Sequence, residues 1–454
     1  MNVLHITMER RRASSIWLAA ILGLILAEDY AWASSQAEIE RHLELGRDML
    51  ARGQFQDALS HYHAAVEGDP KNYLTYFKRA TVYLALGKAR FAISDLERVL
   101  ELKPDFTAAR LQIAQAHVKQ GNLDSAEEAY TAVYHVAPGS IEVAEGLQRI
   151  LSLRHDVVVA QSLVANGDYE HAAHVLTACI EAMPWDTSLR DLRAKARLAL
   201  GDPRGAIADI RSATRLSSDN TDGFLQLARL HYDLGEAAES LREVRECLRL
   251  DADHKQCFAH YKLVKKVAKA IEEASAAVES QNYATCVSEA NKVLKFEDKV
   301  PLIRFEAYDR LCRCQRHTGQ LSESLASCTA ALSIQRHSHL LCDRAETYID
   351  SEMYDDAIHD YQAALELDES SHRARDGLER AKKLLKQSER DEKKMAEKKF
   401  IDIAAAKEVL TDPEKRQKFD QGEDPLDPEN QKNQGFNPFH HFHNSPFQFK
   451  FHFN

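Results

Sequence analysis

Eight cysteines and twenty-one histidines are the residues of this chain with the widest chemical reach, and their spacing limits what they can do. Neither a His-Glu-x-x-His stretch nor paired Cys-x-x-Cys motifs occur, so no metal site of recognisable spacing is expected. His440, His441 and His443 lie close together, but Phe439 and Phe442 interleave them, and the stretch reads as a disordered aromatic tail. No Gly-rich loop could cradle a phosphate, and no catalytic constellation stands out. The expectation is a non-enzyme with no catalytic residue, cofactor or metal. Chemistry then falls to the cysteines as cross-links, which depends on the compartment.

The N-terminus speaks to that. Arg10, Arg11 and Arg12 precede the apolar run Ile16 to Ala27, and Ala31-Trp32-Ala33 offers a small–x–small cleavage pattern. Twelve apolar residues followed by Glu28 and Asp29 fall short of the ~20 that a membrane span needs. Residues 1–33 therefore read as a cleaved signal peptide, with no other stretch able to span a bilayer. The mature chain is expected in the lumen of the endoplasmic reticulum or secreted, where disulfides persist. A formal charge of −11 argues against a dedicated nucleic-acid partner, which needs a basic face.

The elements that must position these residues show a period. Gly53, Ala58 and Pro70 recur 34 residues later as Gly87, Ala92 and Pro104, and again as Gly121, Ala126 and Pro138. Gly ends a first helix, Ala lets a second approach it closely, and Pro stops the second before the next unit. Following the Ala-type position gives nine units, at Ala58, Ala92, Ala126, Ala172, Ala206, Ser240, Cys286, Ser324 and Ala357. Two steps, after the third and sixth units, are 46 residues rather than 34. The extra twelve residues are about three helical turns, so either a helix is lengthened there or one is inserted. Later units lose the proline, with Ser218, Ala252, Arg336 and Glu369 in its place, and Gln281 stands where Gly is expected.

Period and residue types resemble the tetratricopeptide repeat. The resemblance implies an all-α solenoid of helix–turn–helix units in three groups of three, spanning residues 39–140, 153–254 and 267–371. On this geometry Cys247 and Cys257 lie on neighbouring helices and can pair, as can Cys312 and Cys328 on the two helices of one unit. Cys179 and Cys286 occupy small-residue positions and read as buried thiols, while Cys314 and Cys342 have no evident role. Repeats of this type expose a groove lined by first helices. One version binds C-terminal carboxylates through Lys and Asn at fixed positions, which no unit here supplies; Asp191 and Asp309 would repel such a ligand. The first group instead sets Leu43, Phe77 and Leu111 at equivalent sites. They are either a row for apolar client segments or part of the inter-helix core.

From Leu378 to Leu410 neither Gly nor Pro interrupts the chain, so one long helix is expected. Asp412-Pro413 marks a helix start and Gly422 a stop. The run Ala396 to Asp420 resembles the second half of a DnaJ-type J domain, and Gly435-Phe436-Asn437-Pro438-Phe439 with Phe447 to Asn454 is similar to the Gly/Phe extension of such proteins. With the signal peptide and nine repeats, the order resembles a luminal DnaJ homolog of subfamily C. That implies repeats holding unfolded clients for a BiP-type ATPase, a part in the unfolded-protein response, and restraint of kinases of translation initiation factor 2. No proline follows a histidine, so the His-Pro-Asp loop that engages the ATPase is missing. Arg390-Asp391 runs straight into Glu392-Lys393-Lys394, leaving a partial J domain at 393–424 and a disordered Phe/His/Asn-rich tail at 425–454. Two functions follow as alternatives: a co-chaperone with an impaired J domain, or an interaction scaffold inhibiting those kinases by contact.

Overall fold

In the computed structural model, which describes residues 36–217, 219–422 and 425, all regular structure is helical. The expected signal peptide, Ser218 and nearly all of the aromatic tail lie outside the described residues. The chain divides into two compact units within one helix, between Ala268 and Lys269.

The first unit holds α1 (36–51), α2 (Phe55–Gly68), α3 (Tyr73–Ala85), α4 (Ala89–Leu102), α5 (Thr107–Lys119) and α6 (Leu123–Val136). It continues with α7 (Ile141–Ala165), α8 (Tyr169–Ala182), α9 (Thr187–Ala199), α10 (Pro203–Leu216), α11 (Thr221–Asp233) and α12 (Ala237–Leu250). Helix α13 (Lys255–Glu279) crosses the division. The second unit holds α14 (Tyr283–Phe296), α15 (Pro301–His317), α16 (Leu321–Ile334), α17 (Ser338–Asp350), α18 (Tyr354–Leu367), α19 (His372–Thr411) and α20 (Pro413–Asp420).

The two long steps have one cause. First helices such as α3, α5, α9 and α11 are 13 residues long, whereas α7 and α13 are 25. A lengthened helix, not an inserted one, absorbs the twelve residues. Helix α7 packs on α6 through its first turns and on α8 beyond them. One apolar cluster consequently runs from Ala114 in α5 to Leu189 in α9.

All nine register residues, from Ala58 to Ala357, are fully buried. A larger side chain there would push the paired helices apart. The turns between helices use left-handed backbone, as at Gly87 (φ 70°). Gln281 (φ 58°) and Glu352 (φ 60°) adopt the same conformation without being glycine, at a cost of roughly 1 kcal/mol each. Starts are set by side-chain caps: Asn72 accepts from the Leu74 N–H, Asp202 from Gly205, and Asn282 from Thr285, each satisfying a donor that the helix cannot.

Buried ion pairs join the two helices of three units. Arg79 grips Asp95, Arg193 grips Asp209 and Arg344 grips Asp360, always sixteen residues apart and with both carboxylate oxygens accepting. All three aspartates are buried. Such forks fix helix register, because shifting one helix would strand a charge.

Candidate client-binding surfaces

Leu43, Phe77 and Leu111 are half-buried. Leu43 and Phe77 pack against the core of α2–α4, and Leu111 against the cluster that continues into α7. The Phe77 ring meets Phe106 edge to face at 5.1 Å between centroids. Each side chain therefore gives part of its surface to the inter-helix core and leaves part open. The polar residues beside them are engaged within the chain: Thr81 donates to the Phe77 carbonyl at 3.1 Å, and Gln115 donates to Glu142 at 3.0 Å.

In the second unit the first helices carry charge instead. On α15, Asp309 accepts from His339 of α17 at 3.0 Å, and Arg313 donates to Asp343 of α17 at 3.2 Å. Arg316 reaches both Glu346 and Asp350, and Arg373 of α19 closes the ladder on Asp343 and Glu346. Burial alone would raise the Asp309 carboxyl, but the His339 bond and the nearby Arg310 and Arg313 hold it below its ordinary value. The same bond to Asp309 raises His339. Burial opposes the Arg373 charge, yet Asp343 and Glu346 more than offset it and raise its pKa. Asp309, read from sequence as repelling a carboxylate, is thus neutralised by its neighbours. Four of these pairs lie 30 residues apart. That separation is the only trace of the ladder in the sequence.

Cys247 and Cys257 are bonded, with Cα atoms 6.4 Å apart, and so are Cys312 and Cys328, at 4.7 Å. A third bond joins Cys286 to Cys314, with Cα atoms 6.3 Å apart. This corrects the reading of Cys286 as a free buried thiol and of Cys314 as roleless. The close-packing position of α14 faces α15, so a cysteine there meets one on the neighbouring helix. Cys179 and Cys342 remain buried thiols; burial pushes Cys342 up to about 11, which leaves little thiolate for reaction.

Helix α19 is a single 40-residue helix capped at its start by Ser371. Its C-cap, Asp412, is also the N-cap of α20 and accepts from the Glu414 and Lys415 N–H groups. Arg390, Asp391 and Glu392 lie within α19, all exposed. Beyond them Phe400, Ile401, Ile403 and Leu410 are each more than half exposed, as is Phe419 of α20. Only Val409 is buried in this stretch. A shallow cavity of about 380 Å³ is lined here by Phe400, Ile403, Ala404, Lys407, Glu408 and Thr411.

Family profiles of the tetratricopeptide repeat match residues 43–89, 83–150, 192–254 and 338–371. Human DnaJ homolog subfamily C member 3 is 42% identical over 495 aligned positions, covering 98% of each chain. The chain belongs to the DnaJ homolog subfamily C member 3 family. It is also similar to a tetratricopeptide repeat and J domain-containing co-chaperone, DNJ1, of Fusarium oxysporum, 31% identical over 88% of each chain. The crystal structure of the P58(IPK) TPR domain superposes with a TM-score of 0.66 at 43% identity, over 77% of this chain and 99% of that one. The DnaJ-family alignment to the human relative has 495 positions and this chain 454 residues, so at least 41 positions face a gap in this chain.

Proposed function

We propose that this chain is a co-chaperone of the endoplasmic reticulum lumen whose repeats hold unfolded or misfolded clients as part of the unfolded-protein response, without driving a BiP-type ATPase. The observation carrying the second half is the apolar face of Phe400, Ile403 and Leu410, open to solvent on α19, with Ile401 exposed on another side of the same helix. In an intact J domain such a face would be the inner side of a helix packed against two others. Here those helices and the His-Pro-Asp loop have no residues to form them. The gap of at least 41 positions against the human relative supports a loss of chain, which we set at the junction of Asp391 and Glu392, leaving a partial J domain at 393–424.

Holding activity rests on the repeats. Half-buried Leu43, Phe77 and Leu111 offer apolar surface along successive first helices, and the carboxylate-binding Lys and Asn are missing from every unit. The purified chain should suppress aggregation of a chemically denatured client and leave BiP ATP turnover at its basal rate. Stimulation equal to that of an intact J protein would overturn the loss. Protease protection in sealed microsomes tests the luminal location and separates it from contact inhibition of cytosolic kinases of translation initiation factor 2.

A further inference from the structure

We propose that Cys247, His254 and Cys257 form a latent zinc site, closed while their disulfide is intact and opened by its reduction. The two sulfurs and an imidazole nitrogen all lie within 4.8 Å of one another, and no other set of three such ligands converges in this way among the described residues. All three belong to the junction of α12 and α13. The spacing is Cys-x6-His-x2-Cys, unlike the paired Cys-x-x-Cys sought in the sequence, so it escapes a motif search.

The backbone holds the imidazole in place. The Asp251 N–H donates to the Cys247 carbonyl at 3.0 Å, the His254 N–H to the Asp251 carbonyl at 3.3 Å, and the Phe258 N–H to the His254 carbonyl at 3.0 Å. A fourth bond, from the Asp253 N–H to the Asp251 carboxylate at 3.0 Å, locks the turn. A metal has to take the ring nitrogen from a backbone donor. Nδ1 accepts from the Cys257 N–H at 3.2 Å, so it carries the lone pair and a neutral ring has its proton on Nε2. Nε2 faces the Asp222 carboxylate at 3.8 Å. Zinc binding therefore replaces the Cys257 N–H at Nδ1, while Nε2–H keeps its place opposite the Asp222 carboxylate, the kind of partner that orients metal-bound histidines.

Charge and ligand type select the ion. Cys247 and Cys257 are fully buried, a place that disfavours net charge. Two thiolates neutralise one divalent cation, and sulfur with imidazole favours zinc over calcium or magnesium. His254 retains 19% side-chain exposure, which gives a fourth ligand, water, a way in. Opening proceeds by exchange with a dithiol. The dithiol gives up two S–H protons and two electrons and closes its own disulfide, while the Cys247–Cys257 bond takes the two electrons and breaks, and each of its sulfurs takes a proton. On metal binding both thiols release their protons to solvent, and two Zn–S bonds and one Zn–N bond form.

The test uses the full chain, reduced by dithiothreitol under native conditions, desalted without oxygen and titrated with Co(II), then Zn(II) against a chromophoric chelator. The other disulfides also yield thiols, so His254→Gln and the double variant Cys312→Ser/Cys328→Ser are titrated in parallel. Helical circular dichroism checks that each is folded. The expected result is one thiolate-to-cobalt charge-transfer band, at least tenfold weaker zinc binding in His254→Gln, and unchanged binding at this site in the double variant. Asp222→Asn should weaken it by a smaller factor. The proposal is overturned by equal affinity in His254→Gln, by binding that vanishes with Cys312 and Cys328, or by a Cys247–Cys257 bond that opens only on unfolding. Should the double variant fail to fold, the comparison of His254→Gln with the unsubstituted chain decides alone.

Discussion

Along α19 the first turns bury Ala374 and Ala381 completely and set Leu378 and Leu384 against the α17–α18 core. The last turns leave Phe400, Ile401, Ile403 and Leu410 more than half exposed. Both halves have apolar residues at helical spacing, and nothing in their local preference separates them. The difference is the partner. The first half inherits the surface of the last repeat, where Gly377 lies against the Tyr361 ring as Gly146 of α7 lies against Tyr130. The second half has only α20. Apolar periodicity thus shows which face of a helix seeks a partner, and burial depends on whether the chain supplies one.

That contrast can be broken from either side. Asp360→Ala should act most strongly. It strands the Arg344 guanidinium between α17 and α18, the pair against which the first half of α19 packs, and losing one partner of a buried pair costs about 3 kcal/mol or more, read as a lower urea midpoint. Gly377→Ala comes next. An added Cβ would lie 2.3 Å from Tyr361 ring atoms, and such overpacking costs about 1–3 kcal/mol; an unchanged midpoint would mean that α19 does not dock as described. Glu352→Gly should raise stability by about 1 kcal/mol by relieving a left-handed non-glycine turn. Ile403→Ser, in the exposed half, should shift stability by less than about 0.5 kcal/mol while reducing binding of an apolar dye such as ANS. A large loss there would show that the face is covered.

The smallest effect is pH-dependent. His339 is raised by its bond to Asp309, so its contribution is complete below the ordinary histidine value of about 6.5 and fades as pH rises through the raised one. Unfolding midpoints measured across neutral pH should show this slope, and His339→Gln should flatten it.

Much of the fold was legible because close helix contact tolerates few residues. Small side chains at nine positions define the register, and all nine are buried. Step lengths were equally direct: a twelve-residue excess became a twelve-residue longer helix in both places. Cys286–Cys314 was hidden because Cys286 also satisfies the packing rule for a small residue, so its second role left no mark. The ladder of Arg313, Asp343 and Arg373 was hidden for another reason. Its partners sit on successive units, and a charge on a first helix looks the same in sequence whether solvated or paired. Leu43, Phe77 and Leu111 divide themselves between core and surface, which explains why sequence supported both readings.

Because α19 is unbroken from His372 to Thr411, it also behaves as an indexing shaft. Ala381 and Ile403 are 22 residues apart, about 33 Å along the axis at 1.5 Å per residue. Each residue added or removed between them turns the far end by about 100° relative to the near end. Length changes of seven would return the apolar face almost to its starting azimuth, whereas changes of two would point it the opposite way. The direction in which this chain presents its open face is therefore counted out in residues of the charged middle stretch, whose side chains touch almost nothing.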